Sequence, residues 1–359
     1  MKRIEWIDVV RGMAILLIII GHSLYVYSFS NLAKVIFAVH VPVFFVLSGY
    51  LFKERDWKKT TTGLSTNVLL PYFGTSIIIV AISWIALSFP GIKGLTGFDS
   101  LPHAILAALY GIGTPSKLPG SQGLIVPAIG AIWFLLAMFV GNLMFNLTLK
   151  VTKRAKAQLV WMLVIAVVLA TIGFGTVKFI LLPWSINAAL ISQVFYWFGY
   201  ALKQYDLVER WYWSYLLGGI ILWALSAWSG FFYLNVGFAA NPILASLGGM
   251  GGSYGLILLA KFIAEKTPRM SWTWLTWFGR ESLIVMCFHD VDLDNFKIAG
   301  KLFTLSSSHL NNVIGVIIVI IYHVIFVSVV ILLIPYLPIV RSVYMHRQFS
   351  FGRRKKQPA

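Results

Sequence analysis

Long apolar runs constrain this chain more than any other feature. Stretches of about 17 to 25 residues, the length a helix needs to cross a hydrocarbon core of roughly 30 Å, recur along most of the sequence. Lipid offers the backbone no hydrogen-bond partners, so such runs are expected to be helices that satisfy their own N–H and C=O groups. Composition agrees: 59% of the 359 residues are hydrophobic and only 11% are charged. With a mean hydropathy of +0.83, a water-soluble fold of this length is excluded.

The expected fold class is an all-α integral membrane protein of about ten transmembrane helices. Spans are placed near 6–28, 33–52, 68–90, 127–149, 158–174, 180–202, 211–229, 239–263, 272–289 and 310–334. With the N-terminus inside, inner segments hold about 21 Lys and Arg against about six outside. Arg11 and Arg280, within spans, complete the total of 29. That asymmetry predicts an even number of crossings with both termini cytoplasmic. Residues 1–334 then form a single transmembrane domain and 335–359 a basic cytoplasmic tail. In the tail, Arg353-Arg354-Lys355-Lys356 suits anionic headgroups and accounts for part of the +17 net charge without nucleic acid. The first run carries Asp8 and Arg11 and has no convincing small-residue cleavage site, so it reads as a retained helix and not as a secretory signal. Cys287 is the single cysteine, which leaves no disulfide framework and no cysteine metal site.

Between the third and fourth spans, 91–126 holds Pro102, Pro115 and Pro119 around an apolar patch, Ala104 to Tyr110, too short to cross. An interfacial or re-entrant helix and a plain connector both fit it. Gly248-Gly249-Met250-Gly251-Gly252 suits close helix packing.

Ionisable groups inside spans are costly, which makes Arg11, His22, His40, Arg280, Glu281 and His289 candidates for function. His22 lies eleven residues after Arg11. At about 1.5 Å and about 100° per residue, the two are roughly 16 Å apart and within about 20° on one helix face. His40 lies near the depth of His22, yet it precedes Pro42, and pinning that kink is an equal account of it. Arg280 and Glu281 fall near mid-membrane, where they would neutralise each other or line a site. Asp290, Asp292 and Asp294 read first as a hydrated loop at the outer mouth, with hydrogen bonding to sugar hydroxyls as the other reading. His323 stands alone in the last span and reads as packing; His103, His309 and His346 carry no argument. No Walker loop, HExxH or GxSxG signature is present.

Several pieces in order resemble the acyltransferase-3 family of membrane O-acyltransferases, and more closely its fucose 4-O-acetylase-like branch. Asp8-Val9-Val10-Arg11-Gly12 is similar to that family's Asp-x-x-Arg-Gly opening, and Arg11 to His22 reproduces its Arg-x10-His spacing. Phe44-Phe45-Val46-Leu47-Ser48-Gly49-Tyr50 resembles its Phe-Phe-x-x-Ser-Gly-Tyr element. Leu70-Pro71-Tyr72, Trp133-Phe134-Leu135, Phe198-Gly199-Tyr200 and Gly279-Arg280-Glu281-Ser282-Leu283 through His289 follow. The chain departs at Arg280-Glu281, where relatives often carry a Lys-Asn or similar pair, and no appended extracytoplasmic esterase-like domain is seen.

The resemblance implies an enzyme of the plasma or inner membrane. It would take an acyl group, acetyl before succinyl, from acetyl-CoA on the cytoplasmic side and pass it to a hydroxyl of a cell-surface polysaccharide or lipid-linked sugar. His22 and Arg11 are then the expected catalytic pair. Asp8, His40, Tyr50, Arg280, Glu281 and His289 are the expected substrate-binding residues, with no metal. A transporter or flippase is the rival class, since the same buried charges would line a translocation path without covalent chemistry.

Overall fold

The last long apolar run shows how the sequence sets the architecture. From Asn312 to Leu333 it carries one exposed stripe, Val313, Ile317, Ile321, Ile325, Val329 and Leu332, and an opposite buried stripe, Val316, Val319, His323, Val327 and Ile331. Both follow the 3.6-residue period, but the exposed one is as apolar as the buried one, the pattern of a helix with lipid on its outer side. Asn311 starts it, its side chain accepting from the Ile314 N–H at 2.9 Å.

The computed structural model describes residues 4–121, 123–210, 213–350 and 353–354. Helices α1 (Glu5–His22), α2 (Asn31–Phe37) and α3 (Pro42–Leu51) come first. Next are α4 (Trp57–Leu64), α5 (Leu70–Ser88), α6 (Leu101–Tyr110), α7 (Trp133–Thr152) and α8 (Gln158–Thr176). Then come α9 (Ile186–Ile191), α10 (Gln193–Gln204), α11 (Trp213–Ser229) and α12 (Pro242–Lys266). Finally there are α13 (Thr273–Arg280), α14 (Ser282–Val291), α15 (Ile298–His309), α16 (Asn312–Leu333) and α17 (Pro338–Tyr344). Strands among the described residues are two-residue pairs, such as 232–233 with 238–239. Among the described residues, six helical stretches are long and apolar enough to cross a membrane: Asn31–Leu51, Trp57–Ser88, Trp133–Thr152, Gln158–Thr176, Pro242–Lys266 and Asn312–Tyr336.

Several expected spans are interrupted, each for a local reason. The first ends at His22 and not near 28: the Ser23 hydroxyl folds back on the Ile19 carbonyl at 2.7 Å, and Tyr25 takes a left-handed φ of 46°. The second, expected at 33–52, remains one candidate stretch, Asn31–Leu51, with a turn over 38–41 ahead of Pro42, where proline brings no N–H. The sixth breaks at Ser192 between α9 and α10, and the ninth at Glu281 between α13 and α14. Ala104–Tyr110 extends to become α6, capped by the Ser100 side chain and closed by Gly111 at φ 69°. The side chains of Arg353 to Lys356 lie outside the described residues.

Contacts divide the chain into two units, one of residues 1–55 and 140–282, the other of 56–139 and 283–359. Within the first, α1 packs on α12 and α13, α3 on α10 and α12, and α11 on α12. Glycines make these crossings possible. A Cβ on Gly12 would run into the Leu275 carbonyl, and one on Gly279 into the Asp8 carbonyl, so α1 and α13 touch backbone to backbone. Gly49 faces the Tyr196 carbonyl and Gly199 the Val46 carbonyl, which locks α3 to α10 in the same way. The glycine run of α12 stays helical and meets Gly219, Leu222 and Ser226 of α11, the packing role expected of it. Lys261 is buried and ties the segment after α10 to α12, donating to the Val208 carbonyl at 2.9 Å and to Glu209 at 2.7 Å. In the second unit α5 packs on α6 and α17, and α15 folds back on α16.

Candidate active site

Helix α1 carries two polar groups of residues, one near each end, both within the first unit. At its start the Asp8 carboxylate, only 4% exposed, lies 4.0 Å from Arg11 Nη1 and 3.7 Å from Arg280 Nε. The two arginine side chains are more open, at 35% and 40% exposed. A buried acid thus holds two accessible cations side by side, and α13 delivers Arg280 because Gly279 lets it lie directly on α1. Two planar forks presented together suit a phosphate or other oxyanion, which accepts several charge-assisted hydrogen bonds at once. Arg269 closes the same end of the helix pair with an ion pair to Glu5 at 2.8 Å. Tyr50, buried at the end of α3, packs edge-on against Trp6 at 5.4 Å, next to this end of α1. Glu281 sits at the break after α13, partly exposed, while the ion pair of Arg280 is made with Asp8.

At the other end of α1, His22 is exposed and its ring lies edge-on to Phe37, 6.4 Å between centroids. Phe37 also packs edge-on against His40, at 4.8 Å, so one aromatic ring contacts both imidazoles. His40 is buried, and its Nδ1 donates to the Ile36 carbonyl at 2.9 Å. A carbonyl can only accept, which fixes the proton on Nδ1 and leaves the lone pair on Nε2. This bond lies at the turn before Pro42, so His40 does pin that turn, while its second nitrogen keeps acceptor and base character. Stacked Phe231 and Tyr233 also pack edge-on against Phe37.

Arg11 and His22 sit on one unbroken helix, so their separation stays near 16 Å at about 1.5 Å per residue. That distance keeps the guanidinium of Arg11 well away from the imidazole of His22.

His289 belongs to the second unit and is buried there. Its Nδ1 lies 3.1 Å from Nδ1 of His323, and His323 Nε2 is 3.8 Å from Asp292. Two expectations are corrected here. His323 is a partner of other ionisable groups and not a packing residue. Asp290 and Asp292 are buried and Asp294 is partly so, which is no hydrated loop: the chain continues past α14 as a π-helical turn over Asp292–Phe296, folding the acids inward. A signal was available, since an imidazole in the middle of the most apolar span needs a polar partner from another helix. Among the described residues no group of three or more His, Cys, Asp or Glu side chains is placed to hold a metal ion.

Long apolar helices, with Arg11 and His22 on α1 and Arg280 brought beside it, define a polytopic membrane protein that carries polar side chains on its helices. A family model described as an acyltransferase domain matches residues 4–337, nearly the whole chain. The protein belongs to the acyltransferase-3 family and is a membrane acyltransferase. No curated protein and no solved structure matches it.

Proposed function

We propose that this protein moves an acyl group, acetyl in the first instance, from acyl-CoA to a hydroxyl of a cell-surface polysaccharide or a lipid-linked sugar. The plasma or inner membrane is its proposed site of action, and the fucose 4-O-acetylase-like branch its proposed place in the family. The observation that carries this reading is the spacing on α1: an anion-binding guanidinium pair held by Asp8 at one end, an accessible imidazole at the other. Arg11 and Arg280 take the phosphates of the donor, and its extended pantetheine arm is long enough to bring the thioester to His22. His22 acts as general base on the acceptor hydroxyl or carries the acyl group itself. As base it removes the hydroxyl proton while the oxygen attacks the thioester carbon; the carbon–sulfur bond breaks, and the imidazolium returns the proton to the leaving thiolate. Arg11 would position the donor or stabilise developing oxyanion charge, and its separation from His22 favours the first role. Asp8 orients both guanidiniums, and Tyr50, His40 and Glu281 complete the binding surface in this scheme.

Purified protein given labelled acetyl-CoA and a polysaccharide acceptor should release free CoA and label the acceptor. A transporter or flippase would release none. Two substitutions divide the roles. Arg280→Ala should raise KM for acetyl-CoA about tenfold with kcat within about twofold, because it removes an interaction made equally in ground and transition states. Arg11→Lys keeps the charge but not the fork, and kcat/KM should fall about tenfold or more. Wild-type kinetics in Arg11→Lys would reduce Arg11 to a simple point charge.

A further inference from the structure

The second unit carries a buried chain of ionisable groups that acyl transfer at α1 leaves unused. His289 on α14 and His323 on α16 meet through their Nδ1 atoms at 3.1 Å, with ring centroids 4.6 Å apart. His323 Nε2 faces Oδ2 of Asp292 at 3.8 Å, an ion-pair distance. Oδ1 of Asp292 accepts from the Tyr322 hydroxyl at 2.8 Å. All of His289, Asp292 and His323 are fully enclosed. The other titratable groups around them are Asp290 and Asp294, both against Gly130, with Asp290 also accepting from the Ala131 N–H. Lys297 donates to the Thr96 carbonyl at 3.2 Å, Tyr72 and Cys287 lie within electrostatic reach of Asp290, and Tyr344 lies within reach of Cys287.

A hydrogen bond between two Nδ1 atoms requires opposed tautomers, one imidazole donating and the other accepting. At 3.8 Å the carboxylate of Asp292 is beyond hydrogen-bond distance of Nε2 of His323, but its negative charge favours the N–H on that side of the ring. His323 therefore accepts at Nδ1, His289 donates from Nδ1, and the lone pair of His289 is left on Nε2. Space filling does not account for this: an apolar pair would occupy the same volume without burying a carboxylate. We propose that Asp292, His323 and His289 form a one-proton relay, a proton-binding site built into the second unit. A proton taken at Nε2 of His289 releases the Nδ1 proton of that ring to Nδ1 of His323, and the Nε2 proton of His323 crosses to Asp292 when that pair closes from 3.8 Å to hydrogen-bond distance. One proton enters, one is stored on the carboxyl group, no electron moves, and the reverse sequence releases it. The relay stands on this geometry and not on the acyl-transfer reading.

The test is nuclear magnetic resonance of the full chain in lipid nanodiscs with 15N-labelled histidine. Wild-type protein should show His289 as the Nδ1–H tautomer, His323 as the Nε2–H tautomer, and a scalar coupling between the two Nδ1 atoms. On acidification both rings should respond in one transition that takes up a single proton. In Asp292→Asn, with the anion removed, that transition should move about one pH unit toward acid. In His323→Phe, His289 should lose its tautomer preference. Matching tautomers, no coupling, or two independent transitions would overturn the relay, as would an unmoved transition in Asp292→Asn. Should either variant fail to fold, the wild-type coupling decides alone. Because none of these readouts needs acyl transfer, failure of the relay and failure of the proposed activity are separate results.

Discussion

His22→Ala is expected to lower acyl transfer roughly 10³-fold, the size of effect typical for loss of a positioned general base, with the protein still inserted and monodisperse. The reason to expect an intact fold is local. His22 is the last residue of α1 and is exposed, so truncation to Ala leaves the packed interior unchanged. Thermal unfolding and size-exclusion profiles matching wild type, alongside near-zero release of CoA, would bear the assignment out. Wild-type turnover in His22→Ala would remove His22 from the chemistry and leave the guanidinium pair as a binding site in search of a reaction.

Gly12→Val should destabilise the protein by about 3 kcal/mol or more and reduce the yield of folded material, because overpacking a rigid contact cannot be relieved by moving a side chain. The obstacle is the Leu275 main chain, which belongs to α13 and cannot yield without displacing that helix. Gly63→Val provides the comparison. Gly63 also lies in a helix, but a Cβ there meets nothing within 4 Å, and its cost should stay within about 0.5 kcal/mol. Equal melting temperatures for the two variants would mean that α1 and α13 do not cross where the backbone contact places them.

The family elements were legible in the sequence because each couples a chemical residue to a packing residue. In Arg11-Gly12 and Gly279-Arg280 the glycine brings two helices together and the arginine beside it gains a shared carboxylate, Asp8. In Ser48-Gly49-Tyr50 and Phe198-Gly199-Tyr200 the glycines face each other's chain, carbonyl against Cα. Apolar runs gave helix existence well and helix continuity poorly. Breaks at Ser23, Ser192 and Glu281, and the turn ahead of Pro42, depend on single turns of backbone that hydropathy averages away. Helix α15 was not foreseen either, since Ser306, Ser307 and Ser308 lower its hydropathy while their hydroxyls back-bond to carbonyls three or four residues earlier. The His289–His323 contact joins residues 34 apart, and no local periodicity reports a meeting at that range.

One carboxylate-bearing residue serves two mechanical ends. The main-chain carbonyl of Asp8 is the surface on which Gly279 rests, and the side chain of the same residue sets the spacing of two cations. Helix tilt and cation spacing are consequently geared together. A rotation of α13 against α1 by even a small angle alters how far apart the two positive forks stand, so the proposed phosphate ligand, seated on both, would brace the helices as a strut does.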